Sequence, residues 1–245
     1  MIAEEHQEYA AEEENYFVTM TDLMVGLVFI FLILIMNYAL QFRDVTEELT
    51  SSQTTRSAIL EQLKDSLEER GVVVSIDRQS GVLRLPDDIL FARGQAQLSP
   101  EGENAVRDLG DVLVEILPCY ADLPQGDTGC AHAAHRIESV FVEGHTDIDP
   151  FVGAGGIDNW DLSVARATNT YRALSRGRDL LSRLCARKPD GRCDPILSVS
   201  GYGPQRPVQA GDSEEAKRRN RRIDLRIIMV TPSAPEESPG PLRGR

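Results

Sequence analysis

Phe17-Val-Thr-Met-Thr-Asp22-Leu-Met-Val-Gly26-Leu-Val-Phe-Ile-Phe-Leu-Ile-Leu-Ile-Met36 is the stretch around which the chain divides. Between Phe17 and Phe42 the only charged residue is Asp22. A hydrocarbon core of about 30 Å is crossed by roughly 20 apolar helical residues, so this stretch is long enough to span a bilayer. A removable signal peptide has a basic start, a shorter apolar core and a small-residue cleavage site. Here the preceding residues include Glu4, Glu5, Glu8, Glu12, Glu13 and Glu14, with no Lys or Arg. The stretch reads as a retained anchor.

An Asp at the centre of a membrane helix costs about 2.5–3.5 kcal/mol, and less towards the interface. Asp22 is therefore either an interfacial helix cap or an ion-carrying carboxylate. The second would be neutral against lipid or a partner and charged against an aqueous path. Phe17, Val18 and Met20 already supply membrane-type residues before it, which favours the second. Gly26 follows one turn later on the same face, where a missing side chain admits a partner helix. A proton needs only a carboxylate, whereas sodium needs several oxygens, for which Thr19 and Thr21 are the local candidates. Protons are the expected coupling ion, sodium the lesser candidate, and no other cofactor or metal is expected.

Residues 43–245 suffice for one domain with its own core. With 26 Lys and Arg against 39 Asp and Glu, the net charge of −13 argues against nucleic acid as a partner, because phosphate binding needs a basic surface. Cys119, Cys130, Cys185 and Cys193 fall as two pairs close in sequence. They point to disulfides Cys119–Cys130 and Cys185–Cys193 in an oxidising compartment, with other connectivities open. A zinc site using Cys130, His132 and His135 is the alternative for the first pair, but it lacks a short Cys-x2-Cys half. The basic residues flanking the apolar helix, Arg43 and Arg56, lie on its later side, which points the wrong way. The cysteines decide instead for a cytoplasmic N-terminus and a domain outside the cytoplasm, which the resemblance given below makes periplasmic.

The expected organisation is an acidic cytoplasmic tail (1–15), a transmembrane helix (16–42), a linker helix (43–70), a folded domain (71–230) and a disordered tail (231–245) rich in Pro. In the linker, Leu60, Leu63 and Leu67 share one helix face, suited either to a stalk packed on its own domain or to a dimer coiled coil. Residues 72–76 and 82–85 read as strands across the turn at Asp77-Arg-Gln-Ser-Gly81. Ser99 caps a helix over 100–117, with Pro100 at its first position. Strands follow at 139–143, 196–200 and 223–230, with helices at 161–186 and 214–219. The order implies an α+β fold with a mixed sheet and helices on one face.

Four ordered blocks carry a family resemblance. They are Glu143-Gly-His145-Thr-Asp147, Asn159-Trp-Asp-Leu-Ser163-Val-Ala-Arg166-Ala, Gly201-Tyr-Gly203 and Asn220-Arg-Arg222-Ile. With Phe91, Ala96 and Leu98 ahead of them, they resemble the OmpA-like peptidoglycan-binding domain. By that resemblance Asp147 takes the ammonium and Arg166 the carboxylate of a diaminopimelate group, with Asn159 and Arg222 bordering the pocket. A zwitterion does call for one fixed anion and one forked cation held close together. The competing reading is that Asp147 and Arg166 bridge each other. The loop 148–158 and the segments 119–135 and 176–193 look like insertions relative to the family.

Thr21-Asp22-Leu-Met-Val-Gly-Leu-Val-Phe-Ile-Phe-Leu resembles the segment around the ion-carrying aspartate of MotB stator subunits. The acidic start and paired cysteines resemble more closely the MotB-like subunit of the Zorya anti-phage defence system. That resemblance implies a homodimer inside a ring of a multi-spanning MotA-like subunit in the inner membrane, holding peptidoglycan. His145 beside Asp147 reads as a structural residue, since no Ser or Cys nucleophile lies in a recognisable motif. No catalytic residue is expected, and the chain is not read as an enzyme. A passive envelope anchor or sensor without ion flow is the alternative class.

Overall fold

The computed structural model describes residues 2–126, 128–131 and 133–231, with side chains from Met20 onward except Ala154. His132 and the Pro-rich segment 232–245 lie outside the described residues. The chain forms two compact units that meet between Thr50 and Ser51.

The first unit belongs to α1 (Ile2–Glu69), whose backbone already includes most of the acidic segment expected as a tail. From Met20 to Phe42 its apolar side chains are exposed all round, Leu23, Ile33 and Met36 among them. A helix apolar on every face with nothing packed on it is suited to lipid rather than water. Asp22 sits exposed on this helix, and a Cβ at Gly26 would meet nothing within 4 Å.

In the second unit, the later part of α1 is not a free linker. Ile59, Leu60, Leu63 and Leu67 are fully buried in the domain core, so the stripe that suits a coiled coil packs on its own domain. Each such burial stabilises by about 1.5–3 kcal/mol. The sheet comprises β1 (Ser75–Asp77), β2 (Val82–Pro86), β3 (Ile137–His145), β6 (Leu197–Gly201) and β7 (Arg222–Met229), in the spatial order β1-β2-β7-β3-β6. Only β3 and β6 run parallel, so the sheet is mixed as expected.

Two helices cover one face. In α3 (Pro100–Ile116), Ser99 accepts a hydrogen bond from the Gly102 amide at 2.9 Å and Pro100 opens the helix, as its sequence predicts. The expected helix over 161–186 is instead α4 (Asn159–Ser175) followed by the short α5 (Asp179–Arg183). Arg176 is extended and Gly177 has φ +73°, a left-handed conformation that glycine adopts without steric cost. The helix ends there, and Leu181 and Leu184 reach the core from a new direction. The remaining elements are α2 (Asp87–Leu90), α6 (Glu214–Asn220) and a hairpin of β4 (Cys185–Arg187) with β5 (Cys193–Pro195).

Both disulfides form as paired from the sequence. Cys119 and Cys130 close the loop after α3 with Cα atoms 5.2 Å apart, and Cys185 and Cys193 staple the β4–β5 hairpin at 5.3 Å. The cysteines of the expected zinc alternative are thereby used. The two cysteine-bearing segments also join each other, since Asp122 and Cys185 exchange backbone hydrogen bonds of 2.8 and 2.9 Å.

Candidate ligand-binding site

The period-two alternation of the strands sorts the site residues. Along β7, Ile223, Leu225 and Ile227 enter the core under the helices, which sends Arg222, Asp224 and Arg226 to the opposite face. Along β3, Val140 and Val142 enter the core, while Glu143 and His145 join those arginines on the other face. The strand then delivers Thr146 and Asp147 beyond its end.

Helix α4 is fixed against that strand end. Asp158 accepts hydrogen bonds from the Trp160 and Asp161 amides, and the Asp161 carboxylate accepts one from the Asp158 amide, a complete capping box. A Cβ at Gly144 would lie 2.0 Å from the Ser163 carbonyl oxygen, so glycine is what lets helix and strand approach. Buried Ser163 accepts a hydrogen bond from the Gly203 amide at 3.0 Å and donates one to the Trp160 carbonyl at 2.8 Å. Two helical turns separate Asn159 from Arg166, which places both on one side of α4.

The result is a cavity of about 180 Å³ whose walls include Asp147, Asn159, Arg166, Arg93, Phe151 and Arg221. Three of the four residues expected around a pocket are thus brought together. Arg222 is not: its side chain, 6% exposed, donates to Asp224 at 3.0 Å on the other face of the sheet. Arg221, one residue earlier and so on the opposite side, takes the place expected of Arg222.

Asp147 and Arg166 do not pair with each other. Asp147 accepts a hydrogen bond from Arg221 at 2.6 Å and from the Asp149 amide at 3.2 Å. Arg166, 2% exposed, makes a 2.8 Å ion pair with buried Asp87, donates to the Gln95 carbonyl at 2.8 Å and lies over the Phe91 ring. Burial pushes the Asp87 carboxyl up to about 6, against the pull of Arg166 and Arg221. Burial also lowers the Arg166 guanidinium, an effect that Asp87 opposes. Asn159 donates to the Asp149 carbonyl at 2.8 Å, and Lys217 pairs with Asp149 at 2.9 Å, so the long loop is pinned at its start. The cavity therefore offers two carboxylates, Asp147 and the Lys217-paired Asp149, beside the forked cations Arg93, Arg166 and Arg221, a set suited to a zwitterionic ligand. A ligand ammonium would meet Asp147 where Arg221 already stands.

Sequence reasoning missed Asp87 and Arg221. The alternation of Ile223, Leu225 and Ile227 carries the signal for Arg221, whereas nothing local marks Asp87 as the partner of Arg166.

On the far face of the sheet, His145 Nε2 lies 3.5 Å from Asp224 and 4.0 Å from Glu143. The three could converge on a metal ion. Their carboxylates, however, are occupied by arginines: Arg226 grips Glu143 through two hydrogen bonds of 2.9 and 2.8 Å, and Arg222 binds Asp224. Those guanidiniums would repel a further cation. Burial, with Arg222, Arg206, Arg226 and Arg84 nearby, pushes His145 down to about 3, so it is neutral at ordinary pH. It stacks on Tyr202 and acts as packing within an ion network, the structural role its sequence context predicts.

Motility protein B of Bacillus subtilis (strain 168) is 22% identical over 176 residues, covering 72% of this chain and 56% of that protein. The chain is similar to motility protein B. The Escherichia coli (strain K12) protein YiaD is 26% identical over 168 residues, covering 68% of this chain and 59% of that protein. The chain thus spans a little over half the length of these relatives. No family model matches it. Among solved structures, a MotB-like protein of Desulfovibrio vulgaris superposes with a TM-score of 0.50 at 22% identity, covering 78% of this chain and 98% of that one. The mixed-sheet domain has the fold of that MotB-like protein.

Proposed function

We propose that this chain is the wall-anchored, ion-carrying subunit of a proton-driven motor in the bacterial inner membrane. The observation that carries the reading is the pairing, in one chain, of Asp22 on an unpartnered apolar helix with a MotB-like domain whose cavity holds Asp147, Asn159 and Arg166. In this reading two copies stand inside a ring of a multi-spanning MotA-like subunit. Protons bind each Asp22 in turn and leave towards the cytoplasm, and each charge moved is worth about 2.3 kcal/mol per 100 mV. Alternate neutralisation of the two carboxylates turns the ring. The pair stays fixed because the periplasmic domain grips the diaminopimelate of the peptide stem, Asp147 taking the ammonium and Arg166 or its neighbour Arg221 the carboxylate. The protein does no covalent chemistry itself. The acidic first residues and the two cysteine-stapled insertions support assignment to anti-phage defence of the Zorya kind over flagellar motility.

Two measurements test this. Purified sacculi should retain the wild-type chain and lose Asp147→Ala; equal retention removes the pocket assignment. Cells carrying Asp22→Asn should lose phage protection; protection that survives leaves a passive anchor as the reading.

A further inference from the structure

Both oxygens of Asp147 are in use, one by the Asp149 amide and the other by Arg221, so a ligand ammonium competes with Arg221 for the same carboxylate. The guanidinium has a second acid beside it. Arg221 Nη1 donates to Asp147 Oδ2 at 2.6 Å, and its Nε stands 4.0 Å from Asp87 Oδ2. The Asp87 amide also donates to the Arg221 carbonyl at 3.3 Å, which ties the two residues at the backbone and keeps the side chains one short movement from contact. Asp87 is 4% exposed, and its Oδ1, though 2.8 Å from Arg166 Nη1, accepts no hydrogen bond among the described residues. An ionised carboxylate can accept about four hydrogen bonds, and burying that capacity unused is costly. Arg166 does not depend on Asp87 alone, since its Nε donates to the Gln95 carbonyl and its guanidinium lies over Phe91.

Resting on the wall-binding reading, we propose that Asp87 is a positioning residue that accepts the Arg221 guanidinium when a ligand ammonium displaces it from Asp147. Arg166 stays in place for the ligand carboxylate. Ion pairs are then exchanged rather than lost: Asp147 trades Arg221 for the ligand, and Arg221 trades Asp147 for Asp87. The charged groups facing Asp87 are Arg166 from α4, Arg221 before β7, Asp147 beyond β3 and Asp88 on its own helix. β2 meets it through the uncharged Pro86, and α3 packs on α2 with Gly102 against Leu90. Burial holds the Asp87 carboxyl of the free protein at about 6. A closer Arg221 favours the ionised form, so the complex holds this carboxyl lower and binding releases a proton near pH 6. Affinity is then full above about pH 7 and falls as pH drops through 6.

The test is calorimetric titration of the full-length chain in detergent with diaminopimelate, in buffers of different ionisation enthalpy. Between pH 5 and 7 the ligand's carboxylates and ammonium groups stay mostly charged. At pH 6 the wild type should release about half a proton per ligand bound, and it should bind about five- to tenfold more weakly at pH 5 than at pH 7. Asp87→Asn should bind at pH 7 about as weakly as the wild type does at pH 5, with no proton release. Arg221→Gln, with no guanidinium to hand over, should also release no proton and should bind more tightly than the wild type at pH 5. Proton uptake or no release by the wild type, release that persists in Arg221→Gln, or undiminished pH 7 binding by Asp87→Asn overturns the inference while wall binding stands. Loss of binding in Arg221→Gln also overturns it, because Arg221 is then a ligand contact. Absence of binding by the wild type at pH 7 overturns both.

Discussion

Asp22 and Arg166 are both charges in expensive places, and the chain treats them in opposite ways. Arg166 is buried but fully provided for, with Asp87, the Gln95 carbonyl and the Phe91 ring around it. Asp22 stands on a helix of exposed Leu, Val, Ile and Phe, and its carboxylate makes no ion pair or hydrogen bond among the described residues. A charge whose partners are in the chain serves the fold or organises a site. In the proposed reading, a charge without partners in the chain is one whose surroundings a second molecule or an ion completes. The difference separates a domain whose buried charges are matched within the chain from an apolar helix whose one carboxylate is not.

Substitutions sharpen that contrast through folded stability, measured by urea unfolding. Arg166→Ala should cost about 3–5 kcal/mol, because it leaves buried Asp87 with only the more distant Arg221, at 4.0 Å. Removing both partners, as Arg166→Met with Asp87→Leu, should recover most of the loss. Gly144→Ala forces a Cβ onto backbone at Ser163 and should cost about 1–3 kcal/mol.

His145 yields a pH signature. Its folded pKa, about 3, lies below the ordinary 6.5, so below about pH 6.5 the unfolded chain takes up a proton that the folded chain refuses. Stability is fully present above that pH and falls as pH drops towards 3. Asp87, raised to about 6, works the other way between pH 6 and 3.8. His145→Gln should therefore flatten the acid-side fall by about 1–2 kcal/mol between pH 6.5 and 5. An unchanged slope would place the His145 proton elsewhere. Asp147→Ala, which removes a partly exposed pair with Arg221 and the hydrogen bond from the Asp149 amide, should cost about 1–2 kcal/mol while abolishing retention on sacculi. A large loss of stability there would mean that Asp147 serves the fold rather than the ligand.

Much of this was legible in the sequence because the deciding signals are local. The Ser99-Pro100 start of α3, the two cysteine pairs and the alternating strands each declare themselves within a few residues. What escaped depends on distance or on competing patterns. Leu180, Leu181 and Leu184 continue a helical spacing past Gly177 and conceal the break. The Leu60, Leu63 and Leu67 stripe looks the same whether it faces a second copy or its own domain, and only the tertiary packing decides. The Asp87–Arg166 pair joins residues far apart in sequence, and the adjacent Arg221 and Arg222 are told apart only by following strand parity from Ile223.

Asp22→Asn should be the least consequential change for folding, within about 0.5 kcal/mol of wild type, as expected away from buried networks. Its effect should appear in transport. The direct measurement is proton entry, followed by cytoplasmic pH, in cells expressing the full chain with the proposed multi-spanning partner. The account predicts that Asp22→Asn abolishes the flux while the protein still inserts and still binds sacculi. Flux that persists at the wild-type rate in Asp22→Asn would contradict it.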